Sequence, residues 1–228
     1  MRIIGGRWRR RMLSFPALED LRPTPDRVRE TVFNWLGQDM DGLACLDLFA
    51  GSGALGFEAA SRGARRVVMV EQDARAVHAL EANRDALGAL ASGSQIEILR
   101  TDALGFLQRS VARDPAGFDV VFLDPPFRLG LLPALLPAVA ACLAPNGWVY
   151  VESSAGAPGD GDESRVSESR VSESRVSESW VSESWVTLRQ ARTGAVDYRL
   201  LARAPGAQAI DNPDTLHSDC STAQDRAR

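Results

Sequence analysis

From residue 43 onward the sequence alternates between short apolar runs and longer helical segments, and this alternation restricts the fold more than any other feature. Strand-like runs lie at 45–49, 66–70, 96–99, 120–123 and 148–151. Helical segments at 54–62, 74–87, 103–112 and 131–143 separate them. Strand then helix, repeated, predicts an α/β protein with a mainly parallel sheet and right-handed crossovers. Ligands in such folds sit at the carboxyl ends of the strands. No apolar run approaches the roughly eighteen residues of a membrane span. The N-terminus is basic but has no apolar stretch, which argues against a secretory signal. Three Cys argue against a disulfide framework, and with two His they cannot build a zinc site of the usual spacing. The expectation is therefore a cytoplasmic protein with no metal and no membrane contact.

Outside this region the chain changes character. Residues 1–15 read as a short hairpin or arm, with Gly5-Gly6 as the turn signal. The next segment, 21–36, opens on Pro23, Thr24, Pro25 and Asp26, with Asp26 a suitable helix N-cap. Val28, Thr31, Val32, Trp35 and Leu36 share one face, and Arg27, Arg29 and Glu30 fall largely elsewhere. At 155–184 a Gly/Asp/Pro-rich start leads into a five-residue repeat beginning at Val166, Val171, Val176 and Val181. A period of five builds no continuous apolar stripe in a strand or in a helix, so this segment reads as a low-complexity insertion. Its last copy merges into Trp185-Val186-Thr187-Leu188, which alternates properly, and Val196 to Leu201 completes a hairpin. Residues 204–228 read as a disordered tail. The resulting organisation is 1–36, a basic arm and following helix; 37–203, the α/β domain with the insertion; and 204–228, the tail.

The formal charge of −4 hides an uneven distribution. All 26 basic residues are Arg. Residues 152–184 hold eight acids and three Arg, a local net of −5, so the rest of the chain carries +1. Arg2, Arg7, Arg9, Arg10 and Arg11 all precede the first acid, Glu19. Such an arm suits nucleic-acid phosphates, which Arg can grip with two parallel hydrogen bonds.

Two motifs carry chemistry. The first follows the first strand: Asp47-Leu48-Phe49-Ala50-Gly51-Ser52-Gly53-Ala54-Leu55-Gly56. Gly51, Gly53 and Gly56 spell G-x-G-x-x-G, and Glu71 ends the next strand. Glycines let a ligand approach the turn backbone, and the acid suits a ribose diol. NAD and S-adenosylmethionine meet both needs equally. The second motif ends the fourth strand with Asp124-Pro125-Pro126-Phe127. The prolines fix the backbone and remove two N–H donors. Asp124 and the Pro125 carbonyl can accept two hydrogens, and Phe127 offers a flat face. The cluster suits a planar base with an exocyclic amino group, which favours S-adenosylmethionine over NAD.

With residues 47–53, the Asp-Pro-Pro-Phe turn resembles that of the class I S-adenosylmethionine-dependent amino-methyltransferases. Residues 1–8 (Met-Arg-Ile-Ile-Gly-Gly-Arg-Trp) and 21–36 (Leu-Arg-Pro-Thr-Pro-Asp-Arg-Val-Arg-Glu-Thr-Val-Phe-Asn-Trp-Leu) closely resemble the RsmD-type 16S ribosomal RNA guanine-N2 methyltransferases. The resemblance runs to about residue 152 and resumes at 185–203; the insertion and the tail depart from it. It implies a Rossmann-like class I methyltransferase fold: a mostly parallel seven-stranded sheet, an antiparallel C-terminal hairpin and a short N-terminal hairpin arm. It implies that Phe49, Ala50, Gly51, Ser52 and Gly53 line the cofactor, with Asp47 bracing the turn. Glu71 would bind the ribose hydroxyls, Asp102 and Ala103 the adenine, and the segment from Thr24 to Arg27 would close over the methionine end. Asp124, Pro125, Pro126 and Phe127 would hold the guanine. Arg2, Arg7, Arg9, Arg10 and Arg11 would hold 16S ribosomal RNA of the small ribosomal subunit, with the protein acting as a monomer.

Other residues read as structural: His78 as a surface or packing residue, and Cys45, Cys142 and Trp148 as core. Asn83 fits either a turn cap or a cofactor contact. Two further functions stand beside the first: a DNA adenine or cytosine amino-methyltransferase, and a non-catalytic ribosome-assembly factor. Against DNA stands the only region available for target recognition, which is acidic. The Asp124 and glycine motifs argue against the assembly factor.

Overall fold

The computed structural model describes residues 1–17, 24–88, 93–110, 117–154 and 184–205. Residues 155–183 and 206–228, where the sequence suggests an insertion and a tail, lie outside the described residues. So do residues 21–23 before the first helix and residues 111 and 112 of the expected third crossover helix.

In chain order the elements are α1 (Asp26–Leu36), β1 (Ala44–Asp47), α2 (Ala54–Ser61), β2 (Arg66–Glu71), α3 (Ala74–Ala86), β3 (Gln95–Arg100), α4 (Ala103–Ser110) and β4 (Phe118–Leu123). A short 3₁₀ turn (Phe127–Leu129) follows, then α5 (Leu132–Cys142), β5 (Leu143–Ser154), β6 (Trp185–Thr193) and β7 (Val196–Arg203). They form one seven-stranded sheet in the order β3-β2-β1-β4-β5-β7-β6. Neighbouring pairs among β1 to β5 are parallel, and β7 runs antiparallel to both β5 and β6. The alternation in sequence is thus the crossover pattern of a doubly covered sheet, and it explains why β1 is buried along its whole length.

The two faces have distinct cores. On one, Cys45, Val67, Met69, Val120, Phe122 and Tyr150 meet residues of α1, α2, α3 and the N-terminal arm. On the other, Leu46, Val68, Val70, Val121, Leu123, Val149 and Val151 meet α4 and α5. Because strand side chains alternate, Asp47, Asp124 and Glu152 continue the first face beyond Cys45, Phe122 and Tyr150. The three acids therefore lie on the α1 side of the sheet.

Four details differ from the sequence reading. Asp26 is the first residue of α1 rather than its cap, since Pro25 holds the cap position without a side-chain hydrogen bond. Its carboxylate is drawn instead to Arg2 at 3.0 Å and Arg29 at 2.5 Å. Arg29, assigned to the polar face, is fully buried. β5 begins at Leu143, with an irregularity in its pairing to β4 before Trp148. In β6, an edge strand, only Trp185 is buried despite the alternating sequence.

The arm is a true but minimal hairpin. Arg2 and Met12 form an antiparallel bridge, flanked by bonds from Ile3 N to Arg11 O (2.9 Å) and Leu13 N to Met1 O (2.8 Å). Ile3, Trp8 and Leu13 are buried in the same core as α1. Gly6 adopts φ +71°, and a Cβ there would sit 1.9 Å from the Ser61 carbonyl oxygen. Only glycine permits that approach, through which Arg7 N donates to Ser61 O at 2.7 Å.

Beneath the arm, the Glu58 carboxylate is fully buried and binds four partners closely. It accepts from Ile4 N (2.8 Å), Gly5 N (2.7 Å), and Arg62 Nε (2.9 Å) and terminal N (2.8 Å). Arg29 lies at 3.4 Å and also donates to the Thr24 carbonyl (3.1 Å) and the Arg2 carbonyl (3.0 Å). A buried charge survives only when paired and hydrogen-bonded. The arm is thus locked onto α1 and α2 by a polar network inside an apolar core.

Candidate active site

The carboxyl ends of β1, β2, β3, β4 and β5 bring the expected motifs to one edge of the sheet. At β1, Asp47 is buried and its carboxylate accepts from Gly56 N at 2.9 Å, bracing the turn into α2. Gly53 caps α2 in the left-handed region, and a Cβ there would collide with Phe57 and Leu80. The turn keeps the register of its neighbours, because Leu48 N donates to Phe122 O and Ala50 N to Val70 O. Ala50 and Ser52 are buried, and Phe49 and Gly51 half-buried. The Ser52 hydroxyl lies 3.8 Å from the Met1 sulfur, so the arm reaches the glycine turn.

Glu71 faces the same turn from β2. One carboxylate oxygen accepts from Gly51 N (2.9 Å), the other from Gln72 N (2.7 Å) and Asp73 N (2.8 Å). Asp102 follows β3, is exposed, and accepts from Gly105 N at 2.7 Å at the start of α4. Ala103 beside it is half-buried. Thr24 is buried, and its hydroxyl bonds Glu152. Arg27 is exposed on α1, and no side-chain bond among the described residues ties it to the other members.

The Asp-Pro-Pro-Phe turn departs from β4. Asp124 is half-buried, Pro125 buried, and Phe127 38% exposed at the start of the 3₁₀ turn. Leu129 N donates to the Pro126 carbonyl at 3.0 Å. Among the described residues, the Asp124 carboxylate accepts no hydrogen bond and the Pro125 carbonyl takes no backbone N–H. Two acceptors and a half-exposed ring therefore converge where a planar base with an amino group could lie.

Glu152, at the end of β5, is a member the sequence reading missed. A single acid closing the apolar run from Trp148 was its only signal. It is buried and accepts from the Tyr150 hydroxyl at 2.8 Å. Asn83, left open between two roles, binds the arm: it accepts from Ser14 N (3.0 Å) and donates to Ser14 O (2.6 Å). His78 is exposed; Cys45 and Cys142 are buried, and Trp148 is half-buried against the core. Arg2, Arg7, Arg9, Arg10 and Arg11 are all exposed along the arm, with Arg2 bonded to Asp26 and Arg11 to the Ala86 carbonyl.

Electrostatically the edge is acidic. Burial pushes Asp47 up to about 7, with the nearby Glu71 charge adding to it. Burial, then the charges of Glu152 and Asp47, hold Asp124 well above the carboxylate range. Burial likewise raises Glu152, against the bonds from Tyr150 and Thr24. Among the described residues none of these three carboxyls has an ion-pair partner, and no cluster of His, Cys, Asp and Glu fits a metal ion. Such a row lacks a cation, and a positively charged sulfonium with its neighbouring ammonium fits that deficit.

Comparison with known proteins agrees with this geometry. The family described as Conserved hypothetical protein 95 matches residues 1–178. The chain is 42% identical over 160 residues to ribosomal RNA small subunit methyltransferase D of Haemophilus influenzae, covering 69% of this chain and 81% of that protein. It is 43% identical over 159 residues to the protein of that name from Escherichia coli strain K12, covering 67% and 74%. A solved candidate methyltransferase from Escherichia coli superposes with a TM-score of 0.69 at 36% identity, covering 89% of this chain and 97% of the other.

Proposed function

The chain belongs to the Conserved hypothetical protein 95 family, and from that membership we propose that it methylates the exocyclic N2 amino group of a guanine in 16S ribosomal RNA, using S-adenosylmethionine. The observation that carries the reading is the turn after β4, where, among the described residues, the Asp124 carboxylate accepts no hydrogen bond and the Pro125 carbonyl no backbone N–H, beside Phe127 and next to the glycine turn after β1.

When bound, S-adenosylmethionine supplies an activated methyl on a positively charged sulfur. Phe49 to Gly53 line its methionine and ribose portion, Glu71 takes the ribose hydroxyls, and Asp102 with Ala103 meets the adenine. Thr24 stands on the methionine side, and Asp47 keeps the turn in shape through Gly56.

The guanine amino nitrogen is a poor nucleophile because its lone pair is delocalised into the ring. Asp124 accepts one amino hydrogen and the Pro125 carbonyl the other, which favours a pyramidal nitrogen with its lone pair aimed at the methyl. Phe127 stacks on the ring and sets its plane. Bound S-adenosylmethionine would supply the methyl to the amino nitrogen and leave as the neutral thioether, and Asp124 takes the proton the nitrogen loses. Alignment of this kind can supply several kcal/mol of the barrier. A helically paired guanine cannot enter such a turn, so the target is flipped out or lies in an unpaired loop. The arm arginines hold RNA phosphates, and the protein acts as a monomer on the small subunit.

Asp124→Ala tests the assignment. Binding of S-adenosylmethionine should persist, while transfer to unmodified small subunits should fall by about 100-fold or more, as when a transition-state hydrogen bond is lost. Undiminished turnover would remove Asp124 from the mechanism.

A further inference from the structure

Asp124 does not stand alone at its end of the sheet. In the parallel pairing of β4 and β5, Leu123 lies opposite Val151, so Asp124 and Glu152 are level on adjacent strands and share the α1 face. Adjacent strands are about 4.8 Å apart. On the far side, Glu152 lies opposite Tyr198 of β7. Glu152 is only 4% exposed, two residues before the end of β5. Its two donors come from different places. Tyr150 is two residues back on its own strand, within the aromatic wall of Phe33, Phe122, Tyr150 and Tyr198. Thr24 belongs to the segment that opens α1, and its carbonyl accepts from Arg29, itself bound to Glu58 beneath the arm.

We propose that Glu152 is a positioning residue for methyl transfer: its carboxylate, fixed by Tyr150 and Thr24, sets the charge of the Asp124 carboxyl that receives the substrate amino group. The proposal rests on the assignment of Asp124 in the preceding section.

The other titratable groups that face the pair are Asp47 on β1, Tyr150 on β5 and Tyr198 on β7. Burial raises both carboxyls, but only Glu152 has donors that oppose the rise. Like charges on level positions cannot both be easily ionised, so the proton shared by the pair resides on Asp124. A protonated Asp124 presents a donor, which cannot accept an amino hydrogen. The turn becomes competent once Asp124 ionises, and the positive charge of the methyl donor favours that step. Glu152 thereby couples acceptance of the guanine to the pH and to cofactor occupancy.

The test is the pH profile of kcat/KM for unmodified small subunits at saturating S-adenosylmethionine, in wild type, Glu152→Gln and Tyr150→Phe. Glutamine keeps an acceptor for Tyr150 and Thr24 but removes the charge. The acidic limb of the profile should move to lower pH by about one unit, the size of one neighbouring-charge effect. Tyr150→Phe loosens the hold on the Glu152 anion while keeping the core filled, and should shift the limb the same way by less. The infrared band of protonated carboxyls in the ligand-free protein should titrate at lower pH in Glu152→Gln, a readout independent of turnover. An unmoved limb and band in folded variants would overturn the proposal. Wild type without any transfer would instead overturn the assignment on which it rests.

Discussion

The Glu58→Gln substitution strikes the contact that joins the arm to the catalytic domain. The wild-type carboxylate is fully buried and serves two backbone N–H groups of the arm, two nitrogens of Arg62 and the fully buried Arg29. Glutamine would leave both guanidiniums without their shared anion and turn an NH2 donor toward N–H groups. Arg29 keeps Asp26, which is 41% exposed on its side chain and so compensates poorly. Breaking a buried pair by removing one partner costs about 3–5 kcal/mol. Total stability is about 5–15 kcal/mol, so about a fifth or more of it is at stake. The midpoint of thermal unfolding should fall by about 10 °C, from roughly 2–4 °C per kcal/mol at this chain length. Urea titration followed by circular dichroism gives the free energy, and limited proteolysis within residues 1–15 reports whether the arm has come loose. A loss below about 1 kcal/mol with an equally resistant arm would refute the view that Glu58 is the anchor.

Three other outcomes follow from the same structure. With Asp47 raised from 3.8 to about 7, the folded state holds a proton that the unfolded chain has released, so this stability is complete below pH 3.8 and is lost as pH rises through about 7. The stability difference between wild type and Asp47→Asn, from urea titrations across pH 4–8, should therefore shrink as pH rises, by up to about 4 kcal/mol. Gly6→Ala places a Cβ 1.9 Å from the Ser61 carbonyl oxygen at φ +71°, and should lower stability by more than about 1 kcal/mol and expose the arm to protease. Arg9→Gln and Arg10→Gln, at exposed arm positions, should weaken RNA binding irrespective of sequence and each lower the salt slope by about 1, read by filter binding at several salt concentrations.

The parallel core was legible because each of its strands is a short apolar run bounded by a helix, and both faces of such a strand demand the same residue type. The ends of β1 and β4 were legible for a related reason: Asp47 and Asp124 interrupt apolar runs where only a ligand site or a bonded turn tolerates an acid. What the sequence concealed are contacts between distant segments. Arg29 and Glu58 each look like solvated helix residues, and 29 positions separate them; only the docked arm brings backbone donors to Glu58 and makes burial tolerable. Asp26 has the residue type and position of a cap, but Arg2, 24 residues earlier, claims its carboxylate. Glu152 was hidden because its partner Thr24 lies at the other end of the described core and β5 meets β4 through a long crossover. In β6, alternation predicts a half-buried strand, but an edge strand with no helix over Val186 and Leu188 leaves both exposed.

The most direct measurement is methyl transfer from labelled S-adenosylmethionine to unmodified small ribosomal subunits, naked 16S ribosomal RNA and DNA, with each product digested to nucleosides. The account predicts label in N2-methylguanosine from ribosomal RNA and none in DNA. Label in N6-methyladenine or N4-methylcytosine of DNA, or S-adenosylmethionine bound with no guanine methylated on subunit or RNA, would contradict it.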